Sequence, residues 1–254
     1  MRDTKCHLLV VSVTLTEKMN SLLLPVAAVV QLNVLPGDVL GIISVFLPKG
    51  DRHTLLETCK HIHSEATLFR YISLNKKYSL TYYRAADFRN KVSSLMMNKG
   101  TQLALKLTCN AEAQDVTMLA GVHTLNLANC NNVTDVSALG GVTTLDLSEC
   151  SGITDVSALG GVTNLHLLCC TGITDVSALG GVTNLHLSGC SGITDVSALD
   201  GVARLDLSFC SGITDVSALG GVTTLDLTAC SGITDVSALG GVTTLDLSEC
   251  SGIT

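Results

Sequence analysis

Seven cysteines stand twenty residues apart, at Cys130, Cys150, Cys170, Cys190, Cys210, Cys230 and Cys250. A strict interval of this length marks a stacked repeat, in which each unit buries its apolar face only against the next. The spacing is that of a clock rather than of a disulfide framework. The first rung bears this out, because twenty residues before Cys130 stands Asn110, with Cys109 beside it. Asn shares no disulfide or zinc chemistry with Cys, but both side chains can serve backbone groups in a tight turn. The column reads as turn chemistry in a reduced chain, which places the protein inside the cell, in cytoplasm or nucleus. Cys6 and Cys59 have no regularly spaced partner.

One unit, residues 141–160, reads GVTTLDLSECSGITDVSALG. Leu145 and Leu147 alternate with polar residues, the pattern of a short strand with one buried face. Cys150 follows at the turn, and Ile153, Val156 and Leu159 lead the chain round to Gly160 and Gly161. With about five residues in the strand, little length remains for the return side, so a 3₁₀ turn or one helical turn is expected there. The aspartates at 115, 135, 155, 175, 195, 215 and 235 each precede a V-S-A-L or V-T-M-L run and read as N-caps or Asx turns. Seven stacked carboxylates could instead bind calcium, but the nonapeptide glycine spacing of calcium β-rolls is absent. The glycines at 121, 141, 161, 181, 201, 221 and 241 imply a positive-φ turn or a close backbone approach.

The pattern LxxLxLxxC…ITD over residues 101–254 resembles cysteine-containing leucine-rich repeats, and the ITDVSAL segment also resembles compact bacterial-type repeats. The resemblance implies an α/β solenoid: a curved parallel sheet of about seven repeats plus a truncated last one, with a concave face that is the usual partner surface. The copies differ mainly at outward strand positions and at the two residues after them. One outward column reads Lys106, Asn126, Asp146, His166, His186, Asp206, Asp226, Asp246; another reads Thr124, Thr144, Asn164, Asn184, Arg204, Thr224, Thr244. Asn164, His166, Asn184, His186, Arg204, Asp206 and Phe209 are the least repetitive neighbours and the candidate contacts for an unknown target protein. His166 and His186, near Asp146 and Cys169, also leave a zinc pair open as an alternative.

Charge divides the chain in two. Residues 1–100 carry 13 Lys and Arg against 7 Asp and Glu, whereas residues 101–254 carry only Lys106 and Arg204 against 15 acids. The acidic half is unsuited to phosphate backbones, so nucleic acid is not an expected partner. No apolar run reaches the ~18 residues of a membrane span. Residues 8–15 and 22–30 are apolar, but Asp3, the short first run and Pro25 fit a signal peptide poorly, and Met19 is a plausible true start.

From Leu35 the chain reads LPGDVLGIISVFLPKGDRHTLLETCKHIHSEATLF, with apolar stripes at helical spacing. Pro36 opens the first helix, and Pro48 with Gly50 closes it. Leu35–Pro36, the Leu40/Ile43/Leu47 spacing, Leu55–Leu56, Cys59–Lys60 and Leu68–Phe69 resemble an F-box in the right order, over residues 34–74. That resemblance implies a small helical domain docking onto the Skp-type adaptor of a cullin ubiquitin ligase, with Leu35, Pro36, Leu40, Ile43 and Leu47 on or behind the adaptor face. Phe69 stands where the family often has tryptophan, and the KGDRH loop is unusually polar. Residues 1–33 form an extension. Residues 75–100 read as a bridging helix with Tyr83, Ala86, Val92 and Met96 on one side, stopped at Gly100, and suited to covering an open sheet edge.

No GxSxG elbow, phosphate loop or HExxH motif occurs, and no cofactor is implied. The expectation is a non-enzymatic substrate receptor of a cullin ligase. Two alternatives stay open: an interaction scaffold whose N-terminal helices only cap the repeats, and a secreted or surface adhesion protein. The last residues, SGIT, repeat the internal text, so a truncated array or self-association through its uncapped end is also expected.

Overall fold

The computed structural model describes residues 71–74, 76–97 and 102–253. Leu35, Pro36, Leu40, Ile43 and Leu47, and with them nearly all of the F-box-like span, lie outside the described residues. The chain divides into two units, the second running from Leu105 to Thr254.

Strand β1 (Tyr71–Ser73) pairs in parallel with strand β2 (Gln102–Lys106), Ile72 opposite Leu103. A small helical domain was expected up to residue 74, so this strand is a departure; aromatic and β-branched Tyr71 and Ile72 favour the extended form. The bridging segment is two helices rather than one, α1 (Lys76–Arg84) and α2 (Ala86–Met97). Arg89 explains how the break is held: its guanidinium donates to the carbonyls of Tyr82, at 2.9 Å, and of Tyr83, satisfying the end of α1. Ser79 is buried and donates to the Leu74 carbonyl at 3.0 Å. Gly100 lies outside the described residues.

The second unit is the array. Its strands are β3 (Thr124–Asn126), β4 (Thr144–Asp146), β5 (Asn164–His166), β6 (Asn184–His186), β7 (Arg204–Asp206), β8 (Thr224–Asp226) and β9 (Thr244–Asp246). Each is parallel to the next and paired twenty residues on, as Leu145 with Leu165 and His166 with His186. The strands hold three residues where about five were expected. Ladder bonds nevertheless continue past their ends, with Leu147 N–H to the His166 carbonyl at 2.9 Å and Glu149 N–H to the Leu168 carbonyl at 2.7 Å. The return side is a 3₁₀ turn in every copy, for example Ser157–Gly161, as its short length requires.

The core is the same set of letters stacked on itself. Leu165, Leu167, Cys170, Ile173, Leu179 and Val182 are all fully buried. A buried leucine here lies between copies of itself, so Leu→Ala would leave a cavity costing about 2–5 kcal/mol. Burial falls off at β9, where Leu245 is 36% exposed while its equivalent Leu165 is completely covered.

The glycine column divides between its two expected roles. Gly121 has φ +80, whereas a Cβ on Gly181 would sit 2.8 Å from the Gly160 carbonyl oxygen. Close approach of successive turns therefore selects glycine at 181, and backbone conformation selects it at 121.

Candidate partner-binding face

The structural letters of the repeat spend their polar groups within the array. Each column cysteine donates its thiol to a leucine carbonyl of the preceding unit: Cys170 to Leu147 at 3.1 Å, Cys190 to Leu167 at 3.0 Å, Cys230 to Leu207 at 3.1 Å. Burial pushes the Cys150, Cys190 and Cys210 thiols up to about 12 and those of Cys170 and Cys230 to about 11. They are neutral donors at physiological pH, unsuited to metal or disulfide chemistry in this state. At the first rung, Asn110 Oδ1 accepts from the Glu112 N–H at 3.0 Å, the local turn bond expected of Asn there.

The aspartates before V-S-A-L form Asx turns. Asp135, Asp155, Asp175, Asp195 and Asp215 each accept from the N–H two residues on, at 2.9 Å. These hydrogen bonds from serine hold the carboxyls below their ordinary value.

A second Asx row escaped the sequence reading. Asp146 and Asp206 accept from Ser148 and Ser208 N–H at 3.0 Å, Asp226 from Thr228 N–H at 2.9 Å, and Asn126 from Ala128 N–H at 3.0 Å. Part of the outward column thus closes the turn after its own strand. His166 and His186 interrupt that row. Their rings stack instead, 4.5 Å between centroids and 5° from parallel, and His186 Nδ1 lies 3.6 Å from Asp206 Oδ2. Lone pairs in two stacked parallel planes cannot converge on one ion. Among the described residues no group of three or more His, Cys, Asp or Glu side chains is arranged to hold a metal.

The neighbouring column forms a second ladder. Asn164 Nδ2 donates to Thr144 Oγ1 at 3.1 Å, Asn184 Nδ2 to Asn164 Oδ1, and Arg204 to Asn184 Oδ1 at 3.4 Å. Asn164, His166, Asn184, His186, Arg204 and Asp206 are therefore brought together on β5, β6 and β7. Burial and the nearby His186 charge lower the His166 pKa, against an opposing pull from Asp146. Burial pushes the Asp206 carboxyl up, but bonds from His186 and Ser208 outweigh it and leave it below its ordinary value.

Three residues past each strand the backbone turns left-handed. Cys109, Asn129, Glu149, Cys169, Phe209, Ala229 and Glu249 have φ between 55° and 62°, and Gly189 has φ 73°. Phe209, the last of the candidate contacts, stands in this row and is 58% exposed. Left-handed turns normally announce themselves by glycine, and seven of these eight residues are not glycine, so the sequence carried little signal for them.

Parallel three-residue strands, a 3₁₀ return and a polar column bonded into the preceding turn define the architecture. The array is a leucine-rich-repeat solenoid. No family model matches the chain, and neither does any curated protein sequence. Among solved structures the chain is similar to an internalin (inlF) from Listeria monocytogenes, at 23% identity over 65% of this chain and 52% of that one, with TM-score 0.47. It is also similar to internalin C2 of the same bacterium, at 25% identity over 57% and 66% of the two chains, TM-score 0.40. A leucine-rich-repeat protein of Leptospira interrogans is 17% identical over 63% and 51%, TM-score 0.37. The chain spans about half the length of the first of these. No helix among the described residues is long and apolar enough to cross a membrane.

Proposed function

We propose that this solenoid is a protein-binding module whose sheet face from Asn164 to Phe209 holds a target protein. The observation that carries this reading is where the copies differ. The letters that fold the repeat are bonded or buried inside it, while the departures at 164, 166, 184, 186, 204 and 209 gather on adjoining strands and their turns. Neighbouring copies supply the control. Asn164→Thr, His166→Asp, Asn184→Thr, His186→Asp, Arg204→Thr and Phe209→Ala together install residues that other repeats already carry at those positions. That chain keeps its fold and loses its target in a quantitative copurification; retention of the same target at the same level would contradict the reading.

The finer reading is a substrate receptor of a cullin ubiquitin ligase, inside the cell. It is supported by the F-box-like order of residues 34–74, followed by the bridge 75–100 and the array 101–254, and by the reduced thiol column. Leu35, Pro36, Leu40, Ile43 and Leu47 dock onto a Skp-type adaptor, and proximity raises the effective concentration of target at the charged ubiquitin carrier. Leu40→Asp or Ile43→Asp abolishes adaptor copurification, because an unpaired charge at an apolar contact costs several kcal/mol. A wild-type chain that never binds the adaptor leaves the scaffold reading, in which the N-terminal helices serve only as a cap.

A further inference from the structure

Phe209 is the one Phe, Tyr or Trp between positions 101 and 254. It stands where the backbone has φ 59°, a conformation that opposes a bulky L side chain and that Gly189 occupies without strain one unit earlier. Its ring is 58% exposed, so the fold recovers little burial from it. Two units earlier, Leu168 is 39% exposed at a position where five other copies carry Ser148, Ser188, Ser208, Thr228 and Ser248. The hydroxyls of Ser188 and Ser208 are buried and satisfied: Ser208 donates to Asp206 Oδ1 at 2.7 Å and shares a 2.8 Å hydrogen bond with Ser188 Oγ, in which it accepts. An apolar group laid there strands no hydroxyl.

The surroundings fix the sign of the partner. Against 15 acids the array has only Lys106 and Arg204, and Arg204 already reaches Asn184 Oδ1. Asp206, Asp226 and Asp246 stand in register on β7, β8 and β9. Each gives Oδ1 to the turn after its own strand, at 2.9–3.0 Å. Carboxylates in a row about one strand spacing apart, ~4.8 Å, repel each other and any acidic partner.

We propose that this face takes a basic polypeptide segment, which seats an apolar side chain against Phe209 and Leu168 and lays Lys or Arg along Asp206 and Asp226. The proposal rests on the reading of this face as the target surface, and it adds the chemistry of the target. Aromatic side chains, Phe among them, are enriched at protein interfaces.

A phage-displayed random peptide library selected on the full 254-residue chain tests it. Two variants keep the fold: Phe209→Gly copies Gly189, and Asp226→Asn copies Asn126, which closes its turn with the same Oδ1. The expected pool is net positive, contains an aliphatic or aromatic residue, and binds roughly tenfold more weakly to either variant, a loss of about 1.4 kcal/mol. A neutral or acidic pool that Phe209→Gly abolishes overturns the basic partner while leaving the face as a binding surface. A pool indifferent to both variants, or no enrichment, overturns the proposal and the target surface together.

Discussion

The imidazoles of His166 and His186 lie face to face across adjacent strands, 4.5 Å between centroids. At the same positions, Asp146 and Asp206 close their turns through Oδ1, a bond the histidines do not replace. The two units have thus given up a turn bond and acquired a paired aromatic surface beside Asp206. A charge on His186 disfavours a proton on the stacked His166 ring.

Burial and the His186 charge lower the His166 pKa from 6.5. Protonation is therefore disfavoured in the folded state, so this group's stabilising contribution is complete above pH 6.5 and lost as the pH falls through the folded value. A proton NMR titration should place the His166 midpoint below 6.5, and His186→Ala should move it upward. A midpoint above 6.5 would mean that Asp146 outweighs burial.

Phe209→Gly should stabilise the chain. The substitution removes left-handed strain of roughly 1–2 kcal/mol, and glycine's greater unfolded-state freedom offsets part of it. The ring is mostly exposed, so little burial is lost. Urea unfolding should show a higher midpoint at unchanged slope. A lower midpoint would show that the ring contributes to the fold, and would remove the argument that only a partner accounts for it.

The thiol column should be inert where it is buried. Brief alkylation at pH 8 followed by mass spectrometry should label the exposed Cys109 and Cys169 and spare Cys150, Cys170, Cys190, Cys210 and Cys230. Cys190→Ala should cost about 0.5–1.5 kcal/mol for the lost thiol bond, because the Leu167 carbonyl keeps the Cys170 N–H at 3.1 Å. Labelling of the column at the rate of Cys169 would contradict the burial that raises these thiols.

Acid should loosen the array through its Asx turns. Hydrogen bonds from Ser177 hold Asp175 below its ordinary 3.8, and the same applies at 135, 155, 195, 215 and 235. A depressed carboxyl contributes stability above pH 3.8 and loses it as the pH falls through the folded value. The urea midpoint should therefore drop below about pH 4. Asn at 155, 175 and 195 keeps an oxygen for each turn, so the triple variant should show a shallower drop. An equally steep drop would place the acid sensitivity elsewhere.

The array was legible in the sequence because every unit repeats the same physical problem. Leu145 and Leu147 two apart, Cys150 at the turn and Asp155 before its 3₁₀ turn each state a local requirement, and repetition separates requirement from accident. Three features were hidden. The left-handed turn at Glu149 and Phe209 is occupied by ordinary residues, so no glycine marks it. Asp146 resembles a solvent-facing charge, and only the bond to Ser148 N–H reveals its turn. The break in the bridging segment is held by Arg89, which bonds the Tyr82 and Tyr83 carbonyls, a contact that helical periodicity does not encode.

The central claim is that the letters shared by all copies build the solenoid while the departures between Asn164 and Phe209 bind. A photoreactive benzoylphenylalanine placed at position 209 or at exposed Ala178, on the 3₁₀ side, tests it most directly. Both sites are open to solvent, so each variant samples its own face during irradiation in cells expressing the chain. The account predicts a discrete covalent adduct from position 209, absent from 178 and competed away by excess unmodified chain. Adducts from 178 alone, or the same adducts from both, would contradict it.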